Sequence, residues 1–254
     1  MYPPEHIELG RMVKMKYICS IMSIIRTFGE VRTPVVRDPE GMQSLIREFR
    51  LIPFFVSPVP GYSVQEHTPS DLWFSEENLG PWDWKIECVR SGDIAYGKFL
   101  CGGKASFATV DVYRELINWR RSLTKYHPSA DQQKVLDYLQ KHGSISVPEV
   151  RKLMGVTKSA ADALLCKIQM QTRIIIGDIT RVYRGAELKY SGWQRSSFCT
   201  PEDLFEEIDF PFPGYKPRTL KSSLTPDESL EFLKETIRKV CGDIPDKVIM
   251  KILG

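Results

Sequence analysis

Apolar residues recur along this chain at two spacings, and the change from one to the other and back divides it into segments. Met42, Leu45, Ile46 and Phe49 stand at helical intervals behind Asp38, Pro39 and Glu40, so this stretch predicts a capped amphipathic helix stopped by Pro53. Short alternating runs follow. Residues 85–90 and 95–100 read as two strands joined at Ser91-Gly92-Asp93, and Gly102-Gly103 turns the chain into a third run at 105–108. Helical spacing returns over residues 110–123 through Val112, Leu116 and Trp119.

Beyond His127-Pro128 the pattern changes to short helices. Ser129 caps the first, which turns Val135, Leu136 and Leu139 inward and stops at Gly143. Ser146 opens the second, with Pro148 and Glu149 in its first turn; it buries Val150, Leu153 and Met154 and ends at Gly155. Thr157 caps the third, with Ala161, Leu164, Leu165 and Ile168 inward. Residues 173–184 then read as two strands joined at Gly177-Asp178. Three helices and a hairpin in that order predict a winged helix-turn-helix. The tail carries a Pro-rich and aromatic crossing, a helix from Thr225 to about Val240 and a last short helix at 246–253. It is expected to dock, because Phe205, Phe210, Phe212, Leu230, Phe232 and Leu233 would otherwise be exposed.

The predicted fold class is therefore α+β: a mixed α/β N-terminal domain with a small antiparallel sheet (1–126), a winged helix-turn-helix (127–193) and a helical C-terminal extension (194–254). Residues 1–38 yield no single reading, being helix-compatible up to Phe28 and then a β-branched, Pro-containing stretch, VRTPVVRDP.

Composition narrows the classes. With 254 residues, 42% hydrophobic and 26% charged, the chain reads as an ordinary folded protein rather than a disordered or fibrous one. Arg11, Lys14 and Lys16 ahead of the apolar run 17–25 imitate a targeting signal, but Arg26 interrupts the run and no cleavage site follows; no membrane span is expected. The six cysteines form no CxxC pair and the four histidines show no zinc-ligand spacing, which predicts a reducing cytoplasm and no structural metal. Gly97, Gly102 and Gly103 do not match a phosphate loop, and no cofactor is expected. A net charge of only +3 means that any nucleic-acid surface must come from local clustering.

Such clustering exists. Residues 127–193 carry ten Lys or Arg against six Asp or Glu. In a winged helix the third helix enters the major groove and the hairpin touches the backbone, which puts Thr157, Lys158, Ser159, Lys167 and the carboxylate of Asp162 at the groove. Arg173, Arg181, Arg184 and Lys189 fall on the wing and its flanks. Double-stranded DNA is the partner this implies; the alternative is a non-catalytic transcriptional regulator or protein-interaction module. A second constellation runs from Gln65, Glu66 and His67 through Trp73 to Trp82, Asp83 and Trp84. Its tryptophans are candidates to stack a flipped base, with Gln65, Glu66 and Asp83 as catalytic candidates. The plainer reading makes the tryptophans core and the carboxylates turn caps, or partners of Lys85 and Lys98.

The segments SVQEHTPSDLWF, GPWDWK, AYGKF and GGKASF ahead of that module resemble the bacterial AlkZ-related proteins over about residues 40–254. These are relatives of winged-helix DNA glycosylases that remove alkylated or crosslinked bases. The resemblance implies DNA binding, repair and base excision. The glycosylases carry a catalytic Gln-x-Gln or Gln-x-Asp motif, where this chain has Gln65-Glu66-His67.

Overall fold

The structure is a computed structural model that describes residues 35–73, 79–206 and 219–254. The readings made for 1–34, and for Phe210 and Phe212, lie outside the described residues. Helix α1 (Pro39–Phe49) forms as its spacing dictates: Asp38 accepts from the Gly41 N–H at 2.6 Å, and Met42, Leu45, Ile46 and Phe49 are buried. It ends earlier than Pro53, at Arg50 in the left-handed region, and the chain runs straight into strand β1 (Leu51–Pro53). Pro53 is thus an edge-strand residue, where a missing N–H is tolerated.

A one-turn helix α2 (Val64–His67), capped by Ser63, precedes helix α3 (Pro81–Arg90). The second of these overturns the strand expected at 85–90. Pro81 occupies the first helical position, and Pro81, Trp84, Lys85, Cys88 and Val89 are buried at helical spacing. The alternation Ile86-Glu87-Cys88 is too short to distinguish the two periods. Ser91 to Asp93 therefore joins a helix to a strand rather than two strands, with the Ser91 hydroxyl donating to the Cys88 carbonyl at 2.8 Å.

Strands β2 (Ile94–Leu100) and β3 (Lys104–Thr109) form the hairpin around Gly102-Gly103, and an antiparallel sheet of order β1-β3-β2 pairs Ile52 with Phe107 and Phe107 with Tyr96. A side chain at Gly103 would meet the Cys166 sulfur at 2.5 Å, so glycine lets the turn approach the later helix that carries Cys166. Helix α4 (Val110–Ser122) follows.

The second half begins with α5 (Ala130–His142), capped reciprocally by Ser129 and Gln132 and stopped at Gly143. After the two-residue strand β4 (Ile145–Ser146), Ser146 and Glu149 box the start of α6 (Val147–Met154), and Thr157 caps α7 (Lys158–Met170). Val150, Ala161, Leu165 and Ile168 are buried as expected; Leu153 is not, being 40% exposed on the outer side of α6. Strands β5 (Ile175–Arg184) and β6 (Lys189–Cys199) complete a sheet of order β4-β6-β5. The expected turn at Gly177-Asp178 is a bulge within one continuous strand, since glycine accommodates a register shift without reversing the chain. The reversal lies at residues 185–188, and β6 crosses position 193 without interruption.

The tail forms α8 (Pro201–Phe205), α9 (Pro226–Cys241) and α10 (Asp246–Leu253). Helix α9 lies on α4, where the Asn118 amide donates to the Leu224 carbonyl (2.8 Å) and Ser229 hydroxyl (2.9 Å). The buried Glu115 carboxylate accepts from Ser222 and Ser229 at 2.6 Å each, which with Arg114 holds it below the usual carboxylate range despite burial. Arg120 is wholly buried and donates to the carbonyls of Met170, Phe99 and Leu253, joining α7, β2 and α10. The architecture is α+β with two small antiparallel sheets, and no helix among the described residues is long and apolar enough to cross a membrane.

Candidate functional site

The candidate residues gather where α3 meets the β5/β6 hairpin and an aromatic cluster. Gly80 starts α3 against the preceding turn; a side chain there would overlap the Leu72 carbonyl at 2.0 Å, so glycine allows the approach that seats Trp82 beside Trp73. The two indoles meet edge to face with centroids 6.0 Å apart, and Phe54 (5.6 Å) and Phe55 (5.4 Å) lie against Trp82. Trp82 keeps 37% of its surface exposed, whereas Trp73 is buried and its indole N–H finds no partner among the described residues. Trp84, on another side of α3, faces the core.

Asp83 is 6% exposed and points at the hairpin. One of its oxygens accepts from Arg181 Nε (2.8 Å), the Tyr190 hydroxyl (2.9 Å) and Gln194 Nε2 (3.4 Å). Gln194 also donates to the Trp82 carbonyl (2.9 Å) and to the Tyr190 hydroxyl (3.0 Å), so one amide ties the carboxylate, the exposed indole's backbone and strand β6 together. The hydrogen bond to Asp83 raises the Arg181 pKa above its ordinary value, and burial raises that of Tyr190. A second tether, from Arg90 Nε to Asp178 at 3.0 Å, anchors the other end of α3 to β5.

Gln65 and Glu66 approach the same cluster from α2. The Gln65 side chain accepts from Val56 N–H at 3.3 Å and its backbone N–H donates to the Phe54 carbonyl at 3.0 Å, adjoining the segment that stacks on Trp82. Both Glu66 oxygens are engaged locally, by Ser63 Oγ at 2.6 Å and Gly61 N–H at 2.9 Å. His67 bonds the Gly61 carbonyl at 2.8 Å and lies edge-on to Phe49.

Lys85 pairs with neither carboxylate: its amine lies 4.7 Å from the Trp82 ring centroid, and burial lowers its pKa to about 8, partly countered by Asp83. The sequence offered this amine only as an ion-pair partner and gave no signal for Tyr190, Gln194 and the two phenylalanines, whose roles depend on contacts far along the chain.

The cations fall on two elements. On α7, Thr157 caps the helix, Lys158 and Ser159 are exposed in its first turn, Lys158 pairs with Asp162 at 2.8 Å and Lys167 is exposed farther along. On the hairpin, Arg184 and Lys189 are exposed together with Tyr183 (52%), Leu188 (69%) and Trp193 (61%), and the Arg184 guanidinium lies 5.8 Å from the Trp193 ring centroid. Arg181 is turned inward to Asp83, and Arg173 is half-buried near Arg121 and Glu202. Among the described residues no group of acidic, His or Cys side chains is placed to hold a metal ion.

A family model described as AlkZ related matches residues 36–254. The chain belongs to the AlkZ-related family. No curated protein and no solved structure matches it. In this AlkZ-related chain the match spans both sheets and the tail, so the Asp83 cluster, the aromatic cluster and the hairpin all lie within the family's extent.

Proposed function

We propose that this AlkZ-related protein binds duplex DNA and excises alkylated or crosslinked bases. In this reading the chain comprises an N-terminal domain (1–126), a winged helix (127–193) with α7 as the recognition helix and β5/β6 as the wing, and a helical extension (194–254). The free thiols of Cys88, Cys101, Cys166, Cys199 and Cys241 support a reducing, cytoplasmic setting.

One observation carries the proposal beyond family membership: the wing holds Asp83 beside the exposed indole. Arg181, Tyr190 and Gln194 reach from β5 and β6 to a carboxylate one residue from Trp82, so a duplex engaged by Arg184 and Lys189 of the same hairpin lies next to a stacking surface and a carboxylate. A base flipped onto Trp82 leaves its sugar near Asp83, whose charge steadies the cation that develops as the N-glycosidic bond breaks. Glu66, bound by Ser63 and Gly61, holds the α2 turn in this scheme, and Gln65, whose side-chain oxygen accepts from the Val56 N–H, orients water.

Release of an alkylated base from a duplex tests this. Asp83→Asn keeps the shape of the site and should lower excision by roughly 100-fold while duplex affinity changes little; Glu66→Gln should have a far smaller effect. Unchanged excision in Asp83→Asn overturns the assignment. The exposed Leu188 and Trp193 also suit a non-catalytic regulator, a reading favoured if the full chain binds no duplex at low salt.

A further inference from the structure

One contact holds the Lys85 charge in the fold, the face of the Trp82 ring 4.7 Å from its amine. Lys85 is 8% exposed and makes no hydrogen bond or ion pair with any described residue. The neighbouring carboxylate, Asp83, is held by Arg181 instead. A buried ammonium with no hydrogen bond or ion pair among the described residues loses more hydration than one ring contact returns, and an apolar side chain of similar length would serve packing better. The side chain nevertheless is not sealed in, since 8% of its surface stays exposed. Its cover is the Trp82 ring, itself over a third exposed.

We propose that Lys85 is an amine nucleophile that captures the aldehyde of an abasic deoxyribose as an imine. The inference rests on the excision reading, which leaves such a sugar beside Trp82 once the base departs. The nitrogen lone pair adds to C1′ of the ring-opened sugar, forming a C–N bond, and a proton passes from nitrogen to the former carbonyl oxygen. That oxygen takes a second proton from solvent and leaves as water, giving a protonated imine. The step needs an uncharged amine, and with a pKa of about 8 roughly a quarter of the lysine is neutral at pH 7.5, against about 0.1% for an ordinary lysine.

The test incubates the full chain with a duplex containing one abasic site, adds cyanoborohydride to reduce any imine, and measures covalent protein–DNA product; anisotropy on the same duplex measures binding. Wild type should give an adduct that maps to the 81–90 segment and whose yield rises to half-maximum near pH 8. Lys85→Met, which keeps the apolar stem, and Lys85→Arg, which keeps the charge, should each lose at least about 10-fold of it, and Lys98→Ala should not. Binding without an adduct, or an adduct that persists in Lys85→Arg, overturns the role of Lys85 and leaves the excision reading standing. Absence of binding overturns the excision reading and this inference with it.

Discussion

Folding carries the Lys85 amine into surroundings that disfavour its charge, moving its pKa from 10.5 to about 8, and the sign of the consequence for stability can be worked out. Below pH 8 the amine is protonated in both states and the folded state bears the full penalty, about 3 kcal/mol from the size of the shift. Between pH 8 and 10.5 the unfolded state binds more protons, so stability from this group rises with pH until the penalty is gone. Lys85→Met should therefore be more stable than wild type at pH 7, with an advantage that shrinks from pH 8 upward. Burial raises the thiols of Cys88, Cys199 and Cys241 to about 12, which lowers stability above pH 9, but equally in both proteins, so it cancels in the difference. Urea unfolding at pH 7, 8.5 and 10 checks this; an advantage that stays constant with pH refutes the burial account.

Among the elements, α3 shows what the sequence holds and what it conceals. Five helix starts were legible from local caps, at Asp38, Ser129, Ser146, Thr157 and Thr225, whereas the short helices capped by Ser63 and Thr200 were not, having too few residues to show a period. Helix α3 starts on Gly80 with no side-chain cap, and the alternation of Ile86, Glu87 and Cys88 imitates a strand. The members of the candidate site were partly visible, as Asp83 and Arg181 were each singled out for different work. Their union was not, because Arg181, Tyr190 and Gln194 lie 98, 107 and 111 residues from Asp83 and no local pattern encodes such a distance. The two tethers between α3 and the hairpin are unequal. Removing Arg181 strands a carboxylate whose side chain is 8% exposed, and Arg181→Ala should cost about 2–4 kcal/mol. Arg90 and Asp178 are 51% and 42% exposed, and Arg90→Ala should cost under about 1 kcal/mol. Chemical denaturation of both variants measures the difference, and equal losses would show that Asp83 is not what pins the hairpin.

At the scale of the whole molecule, a net charge of only +3 hides local clusters of both signs. Around α9 a groove of about 450 Å³ is lined by Leu224, Leu230 and Phe232 together with Glu228, Glu231 and Glu235, a face that repels phosphate. The exposed Lys158 and Lys167 of α7 and Arg184 and Lys189 of the hairpin present the opposite sign, and Arg184 backed by Trp193 joins charge to an aromatic surface. If duplex DNA engages these exposed cations, each phosphate contact releases counterions, and the logarithm of the binding constant falls linearly with the logarithm of salt. Arg184→Ala and Lys158→Ala should each weaken binding and lower that slope by about one, without altering stability beyond about 0.5 kcal/mol. Arg181→Ala should behave differently, losing stability with little change of slope, because its guanidinium is committed to Asp83. Substitution of Glu231, whose side chain is 60% exposed on the acidic face, should leave the slope where it is. Anisotropy across a salt series separates these cases; a slope that falls equally for Arg181 and Arg184 would mean that the inward arginine turns out to meet the duplex, and that the Asp83 pair opens on binding.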